Sequence, residues 1–281
     1  MLHNLVRLTR YRGLIQSLVA RELKARYRGS VLGFFWSFIN PLLLLLIYSF
    51  VFKYFLPRSA NDLPHYELFL FCGLLPWTWF SSSLLESSGV LISGGNLIKK
   101  VLFPAEVLPI VTVLANMVHF FLGLPILGLF LLYNHWPLYL GELIWFPVVV
   151  LIQLVLTLGF ALILSALTVH FRDLRDILSN LTNFWFFATP IIYPYTVIYG
   201  DPLNPSHAPG WVASMLKINP FTHLAITYQE ILYFQPADPL APVGPPGHWY
   251  WLLVLGVISI AFFFVGYFIF DRLRDTFAEE V

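Results

Sequence analysis

At 281 residues, with 58% apolar, 18% aromatic and only 11% charged side chains, the chain lies far from the ~25% charged residues of an average soluble domain. This excludes a soluble globular enzyme or a basic nucleic-acid-binding module and leaves a polytopic membrane protein, while the net charge of +1 conceals a sorting of cations by position. The single cysteine, Cys72, excludes an internal disulfide.

Residues 3 to 28 place Leu5, Leu8, Ile15, Leu18, Val19, Leu23 and Tyr27 three and four apart, with basic side chains largely between them. That spacing predicts an amphipathic helix in the inner headgroup layer, either a topological anchor or a docking surface for a cytosolic partner. Arg21, Glu22, Lys24, Arg26, Tyr27 and Arg28 close the segment, and from Gly29 no charge appears until Lys53. An apolar run of more than about 20 residues crosses ~30 Å of hydrocarbon as a helix, and cations before it stay cytoplasmic. The N-terminus is expected to remain uncleaved, since no short signal-type apolar core occurs.

Span 1 is predicted over Val31 to Leu56, kinked at Pro41, and a polar link, Pro57 to His65, follows it outside. Span 2 covers Tyr66 to Ile92 and carries Trp77, Trp79 and Glu86; Ser93 to Glu106 is an inside segment. Span 3 covers Val107 to Leu132, span 4 Leu143 to Val169, and span 5 Ile177 to Ile198, broken by Pro190 and Pro194. A long outer segment, Tyr199 to Gly247, holds 9 of the 20 prolines, so its stretch from Pro236 to Pro246 is read as stiff extended linker. Within that segment Pro209 to Ile218 and Pro220 to Phe234 are predicted helices, the second capped by Asn219, and together they read as a lid or as a passive interfacial loop. Span 6 covers His248 to Phe270, and Asp271 to Val281 is a tail.

The cations test this topology. Seven lie in the N-terminal helix and two each in the span 2–3 loop, the span 4–5 loop and the tail, leaving only Lys53, Arg58 and Lys217 elsewhere. Six spans with both termini inside satisfy the positive-inside rule.

No Gly-Lys dipeptide occurs, so the chain does not bind ATP in the P-loop manner. The eight histidines are scattered without metal-ligand spacing, and no catalytic cluster recurs on one helical face. His119 is read as hydrogen-bonded within the bundle. Glu86, an acid within a span, is a functional candidate by default.

Trp77 and Trp79 lie about ten residues, roughly 15 Å, into span 2, below the interfacial aromatic belt, and Phe184, Trp185, Phe186, Phe187 and Tyr193 crowd span 5. They read either as bundle packing or as a ring-paved lumen along which sugars slide by stacking.

Five stretches taken in order then resemble one family. They are RELKARYRGSVLGFFWSFINPLLLLLIY (Arg21 to Tyr48), GLLPWTWF (Gly73 to Phe80), NLIKKVLFPAEVLP (Asn96 to Pro109), VHFRDLRDI (Val169 to Ile177) and FWFFATPIIYP (Phe184 to Pro194), with NPFTHLAITYQ (Asn219 to Gln229) in the outer segment. The chain resembles the permease subunit of type 2 ABC exporters that move O-antigens, capsules and teichoic acids.

The resemblance implies one all-α permease domain of six transmembrane helices. Residues 1–30 are an interface helix, 31–198 spans 1 to 5, 199–247 an outer-face gate segment, 248–270 span 6 and 271–281 a cytoplasmic tail. It implies a homodimer in the bacterial inner membrane, two copies of a cytosolic ABC ATPase that bind the ATP and Mg, and a lipid-linked polysaccharide as cargo. Asn96, Lys99, Lys100, Phe103, Pro104 and Glu106 would form the ATPase-coupling segment. Trp36, Trp77, Phe184, Trp185, Phe187 and Tyr193 would line the translocation path. The rival readings are an export permease for small amphiphiles and a membrane enzyme acting on lipid-linked sugars.

Overall fold

The computed structural model describes residues 11–55, 63–99, 103–195, 209–234 and 248–280, and every regular element among them is a helix. Residues 3 to 10 of the expected amphipathic helix, residues 57–62 of the first link, Lys100 and the Pro236–Pro246 linker lie outside these residues.

Helix α1 (Arg12–Arg26) is followed by a 3-10 turn (Gly33–Phe35) and α2 (Trp36–Tyr54), which contains Pro41. Span 1 was expected from Val31, but its helix starts at Trp36. The reason is backbone: Gly29 and Gly33 take φ of 82° and 49°, which costs glycine little and other residues much, and this breaks the helix. Helices α3 (Tyr66–Ser93), α4 (Gly95–Ile98) and α5 (Val107–Tyr133) come next, close to the expected spans 2 and 3. Then follow α6 (Leu140–Leu143) and α7 (Phe146–His170), with Pro147 in the first turn of α7, where a missing N–H is harmless.

Helix α8 (Leu174–Phe187) departs furthest from expectation: it begins earlier than the predicted span 5 and stops far short of Ile198. At 14 residues it is about 21 Å long. Its end is set by Pro190, which cannot donate a helical hydrogen bond and disfavours helical backbone before it. Beyond it come α9 (Gly210–Ile218), α10 (Pro220–Leu232), α11 (His248–Leu273), a 3-10 turn (Arg274–Thr276) and α12 (Phe277–Glu280).

Four helices are long and apolar enough to cross a membrane, namely α3, α5, α7 together with α6, and α11, while the apolar part of α2 is shorter. Helix α3 is the most enclosed, with 78% of its most apolar window buried against 28% for α11. It packs against α5, α7 and α10. Two polar contacts fix its rotation: Trp79 Nε1 donates to the Val113 carbonyl at 3.2 Å, and Gln153 Nε2 donates to the Pro76 carbonyl at 2.8 Å. Helix α11 lies on α7 where two glycines meet. A Cβ on Gly266 would stand 2.6 Å from the Gly159 carbonyl oxygen, so only hydrogen on both residues allows this approach.

The tail is structured. Phe277 is fully buried against Phe270, ring centroids 5.2 Å apart, under the end of the bundle that carries Ala105 and Val169.

Candidate functional site

The cation-rich end of the bundle holds the first cluster. Helix α1 turns Leu14, Ile15, Leu18 and Val19 toward Val107 and Val111 of α5, as their spacing of three and four requires. Arg21, Glu22 and Lys24 of α1, and Arg28 just beyond it, are exposed. Arg26 does not join them. Its Nη2 lies 2.7 Å from Glu86 Oε2 on α3, and its Nη1 donates to Asn116 Oδ1 on α5 at 3.0 Å. Asn116 Nδ2 donates to the same Glu86 oxygen at 2.7 Å, so three side chains from three helices close a ring. Beside it Ser37 Oγ donates to Tyr27 Oη at 2.9 Å, and Tyr27 Oη lies 3.4 Å from His119 Nδ1. The bundle-internal reading of His119 matches this placement.

The coupling-segment candidates divide. Asn96 and Lys99 are exposed, on and just after α4. Phe103 and Pro104 are half-buried, and the Phe103 ring packs against two apolar clusters at once. One contains Leu18 of α1 with Val107 and Val111; the other contains Leu108, Ala166, Tyr267, Phe270 and Phe277. Phe103 therefore bridges the N-terminal helix and the C-terminal tail. Glu106 is buried, and its Oε2 lies 3.8 Å from Arg274 Nη1, which is also 3.9 Å from Asp271 Oδ1.

The aromatic candidates divide as well. Trp77 is 5% exposed and packs edge-on against Phe221 with centroids 4.9 Å apart, so it offers no free ring face within this chain. Trp185 is half-buried beside Phe80 and Phe160, and its Nε1 donates to Asn219 Oδ1 at 2.8 Å. Both rings serve the core that joins α3, α8 and α10. Phe184 and Phe187, in contrast, are 62% and 63% exposed. They share one face of α8 with Asn180 and Asn183, also exposed, at positions i, i+3, i+4 and i+7. The ring pattern drew attention to the phenylalanines; the two amides were missed, although the same helical spacing could have found them. Tyr193 donates from Oη to the Phe187 carbonyl at 3.0 Å, and Trp36 donates from Nε1 to Ser30 Oγ at 3.0 Å.

At the opposite end Asn219 ties the turn after α8 to α10. Its Oδ1 accepts from Trp185 Nε1 and from the Phe221 N–H at 3.0 Å, as a helix N-cap does. Its Nδ2 donates to Thr189 Oγ1 at 3.0 Å and to the Ala188 carbonyl at 3.3 Å. Gln229 Nε2 of α10 adds a bond to the Pro190 carbonyl at 3.0 Å. Further along α10, burial and then the nearby Glu142 carboxylate push the Glu230 carboxyl up to about 8. Among the described residues no three His, Cys, Asp or Glu side chains form a metal-binding group.

A bundle of long apolar helices with an amphipathic helix clamped across one end defines a multi-pass membrane protein. The chain belongs to the ABC-2 type transporter family, whose membrane model matches residues 13–233. It is 41% identical over 275 residues to the O-antigen export system permease protein RfbA of Myxococcus xanthus, covering 98% of this chain and 97% of that one. It is 30% identical over 266 residues to the protein of the same name from Klebsiella pneumoniae, covering 95% and 94%. It is also 27% identical over 224 residues to the polysialic acid transport protein KpsM of Escherichia coli, covering 77% and 80%.

Proposed function

We propose that this chain is the membrane-spanning subunit of an ATP-driven exporter that carries a lipid-linked cell-surface polysaccharide, O-antigen-like, across the bacterial inner membrane. In this reading two copies form the conduit and two cytosolic ATPase subunits drive it. Six membrane passes, counting α2 and α8 as short ones, leave both termini cytoplasmic, and α9 and α10 are gate helices at the outer face.

The observation that carries the reading is the outward face of α8. Polar side chains at membrane depth face a bundle interior or water rather than lipid, so Asn180 and Asn183 call for a second copy or a wet path beside them. Amides that bond to hydroxyls, alternating with Phe184 and Phe187 rings that stack on apolar sugar faces, suit a polysaccharide. Many weak contacts hold such a cargo without trapping it.

Force would enter at the cation-rich end. The exposed cations of α1, with Asn96 and Lys99, offer a docking surface. Phe103, wedged between two clusters, and the Arg26–Glu86–Asn116 ring would then carry a rigid-body displacement of the docked ATPase into α3 and α5.

Reconstitution tests this. The purified chain in vesicles should neither transport nor transform lipid-linked polysaccharide alone, and transport should appear with its ATPase partner and ATP. Turnover of a lipid-linked sugar by the chain alone would reassign it to the enzymes.

A further inference from the structure

Between α1, α2, α3 and α5 lies a cavity of ≈ 540 Å³, a size typical of ligand pockets. Ser30 and Asn40, both exposed, mark its mouth; Ser37, Leu74, Leu75 and Phe120, all buried, form its depth. The lining is sorted along its length. Near the Arg26–Glu86 contact stand Tyr27, Ser30, Ser37 and Asn116, and away from it Leu44, Phe71, Leu74 and Phe120. Along α3 the lining runs from Ser82 to Phe71, about 16 Å at 1.5 Å per residue. That is a slot for a chain rather than a bowl for a compact solute.

Charge narrows the ligand class. The Arg26 guanidinium reaches into the lining, but Glu86 Oε2 at 2.7 Å already balances it. The polar end therefore offers hydroxyls, amides and a phenol rather than an uncompensated cation. His119 also lines the cavity; its Nδ1 faces Tyr27 Oη, while its buried Nε2 has no hydrogen-bond partner. A buried ring nitrogen without a partner is costly unless a ligand or water meets it.

We propose that this cavity is a lipid site holding one amphiphile, with its aliphatic chain along Leu44, Leu74 and Phe120 and an uncharged, hydroxyl- or ester-bearing group at Ser30, Ser37 and Asn40. The inference does not depend on the exported cargo. A membrane glycerolipid has this chemistry, its acyl chain ending in uncharged ester groups, whereas a polyprenyl-phosphate-linked saccharide carries its anionic phosphate directly on the chain. Because Arg26 and Asn116 belong to the wall, the lipid touches the ring that clamps α1 to the bundle.

The test is native mass spectrometry of the full-length protein, reconstituted in vesicles of phosphatidylethanolamine and phosphatidylglycerol, with or without added polyprenyl-phosphate-linked saccharide, and then exchanged into detergent. Wild type should retain one glycerolipid per chain, identified by the mass of the adduct, and a polyprenyl-phosphate adduct in its place overturns the proposal. Leu44→Trp, which fills the slot, should lower the retained fraction at least tenfold. Leu253→Trp, on the exposed side of α11, should not. Should Leu44→Trp aggregate on size exclusion, Asn40→Trp at the exposed mouth carries the same expectation. No lipid on wild type, or wild-type retention by the slot-filling variants, overturns the proposal.

Discussion

Arg26 of α1 and Glu86 of α3 are 60 residues apart in sequence and 2.7 Å apart in space. The pair is partly solvent-exposed, at 25% and 40% of the two side chains, so as an ion pair it adds only about 0–1 kcal/mol to stability. Its consequence is mechanical. With Asn116 as third member, it ties the amphipathic helix to α3 and α5.

If the ring transmits force, Glu86→Gln should leave insertion intact and cut polysaccharide export several-fold while the ATPase partner keeps hydrolysing. The pair can be isolated by a double-mutant cycle: Arg26→Glu combined with Glu86→Arg should recover part of the export that each single change loses. A double variant no better than the worse single one removes the pair from the coupling route.

Phe103→Ala should uncouple hydrolysis from export. Its ring is half-buried between two clusters, so the stability loss should fall below the ~3–5 kcal/mol of a fully buried Phe→Ala change. Export, ATP turnover and thermal unfolding measured on one preparation separate the two effects; unchanged export would falsify the coupling role.

On α8 the two ring classes should behave differently. Phe184→Ala and Asn183→Leu, both on the outward face, should slow export with little change in melting temperature. Trp185→Ala, which removes the bond to Asn219 and three ring neighbours in the core, should lower the melting temperature itself. Equal thermal losses for Phe184→Ala and Trp185→Ala would mean that the outward face is packing too.

The glycine contact between α7 and α11 gives a purely steric expectation. Gly266→Val drives a side chain into the Gly159 backbone and should cost about 1–3 kcal/mol by overpacking, read as loss of folded protein after detergent extraction. Gly128→Ala, where the added Cβ meets nothing, is the matching control.

Glu230 gives the pH dependence. Its carboxyl is raised from 4.5 to about 8 by burial and by Glu142, so the folded α10 favours the protonated acid. The stability this contributes is full below about 4.5 and falls as pH rises through about 8. The opening free energy of α10 from hydrogen exchange, corrected at each pH for the intrinsic base-catalysed rate, should therefore fall as the pH rises across that window, and Glu230→Gln should flatten the profile. A wild-type opening free energy already flat from about pH 5 to about pH 9 would remove Glu230 as its source.

Much of the architecture was readable from local pattern. Helix α3 begins at the expected Tyr66 and ends one residue past the expected Ile92, α5 begins at the expected Val107, and Asn219 caps α10 as its position before Pro220 predicts. These features depend on a run of apolar side chains or on one polar residue beside a proline, both written in contiguous residues. Helix α8 ends just before Pro190, one of the two breaks the sequence places in span 5, although hydropathy continues past Phe187. The last-turn carbonyls of Phe184 to Phe187 are met locally by Ala188, Thr189 and Tyr193, but the turn beyond the helix is held by Asn219 and Gln229, far along the chain, which bond the Ala188 and Pro190 carbonyls.

By itself, then, the amino-acid sequence determined that this is a multi-pass helical membrane protein and which side of each helix is greasy, because solvation acts on each segment independently. Which partner each side chain finds was decided only by the tertiary structure. Arg26 leaves the cation face to meet Glu86, Trp77 becomes core while Phe184 stays outside, and Gly266 touches Gly159. Such pairings depend on the relative rotation and depth of whole helices, set by close packing across the bundle, and no single segment encodes them.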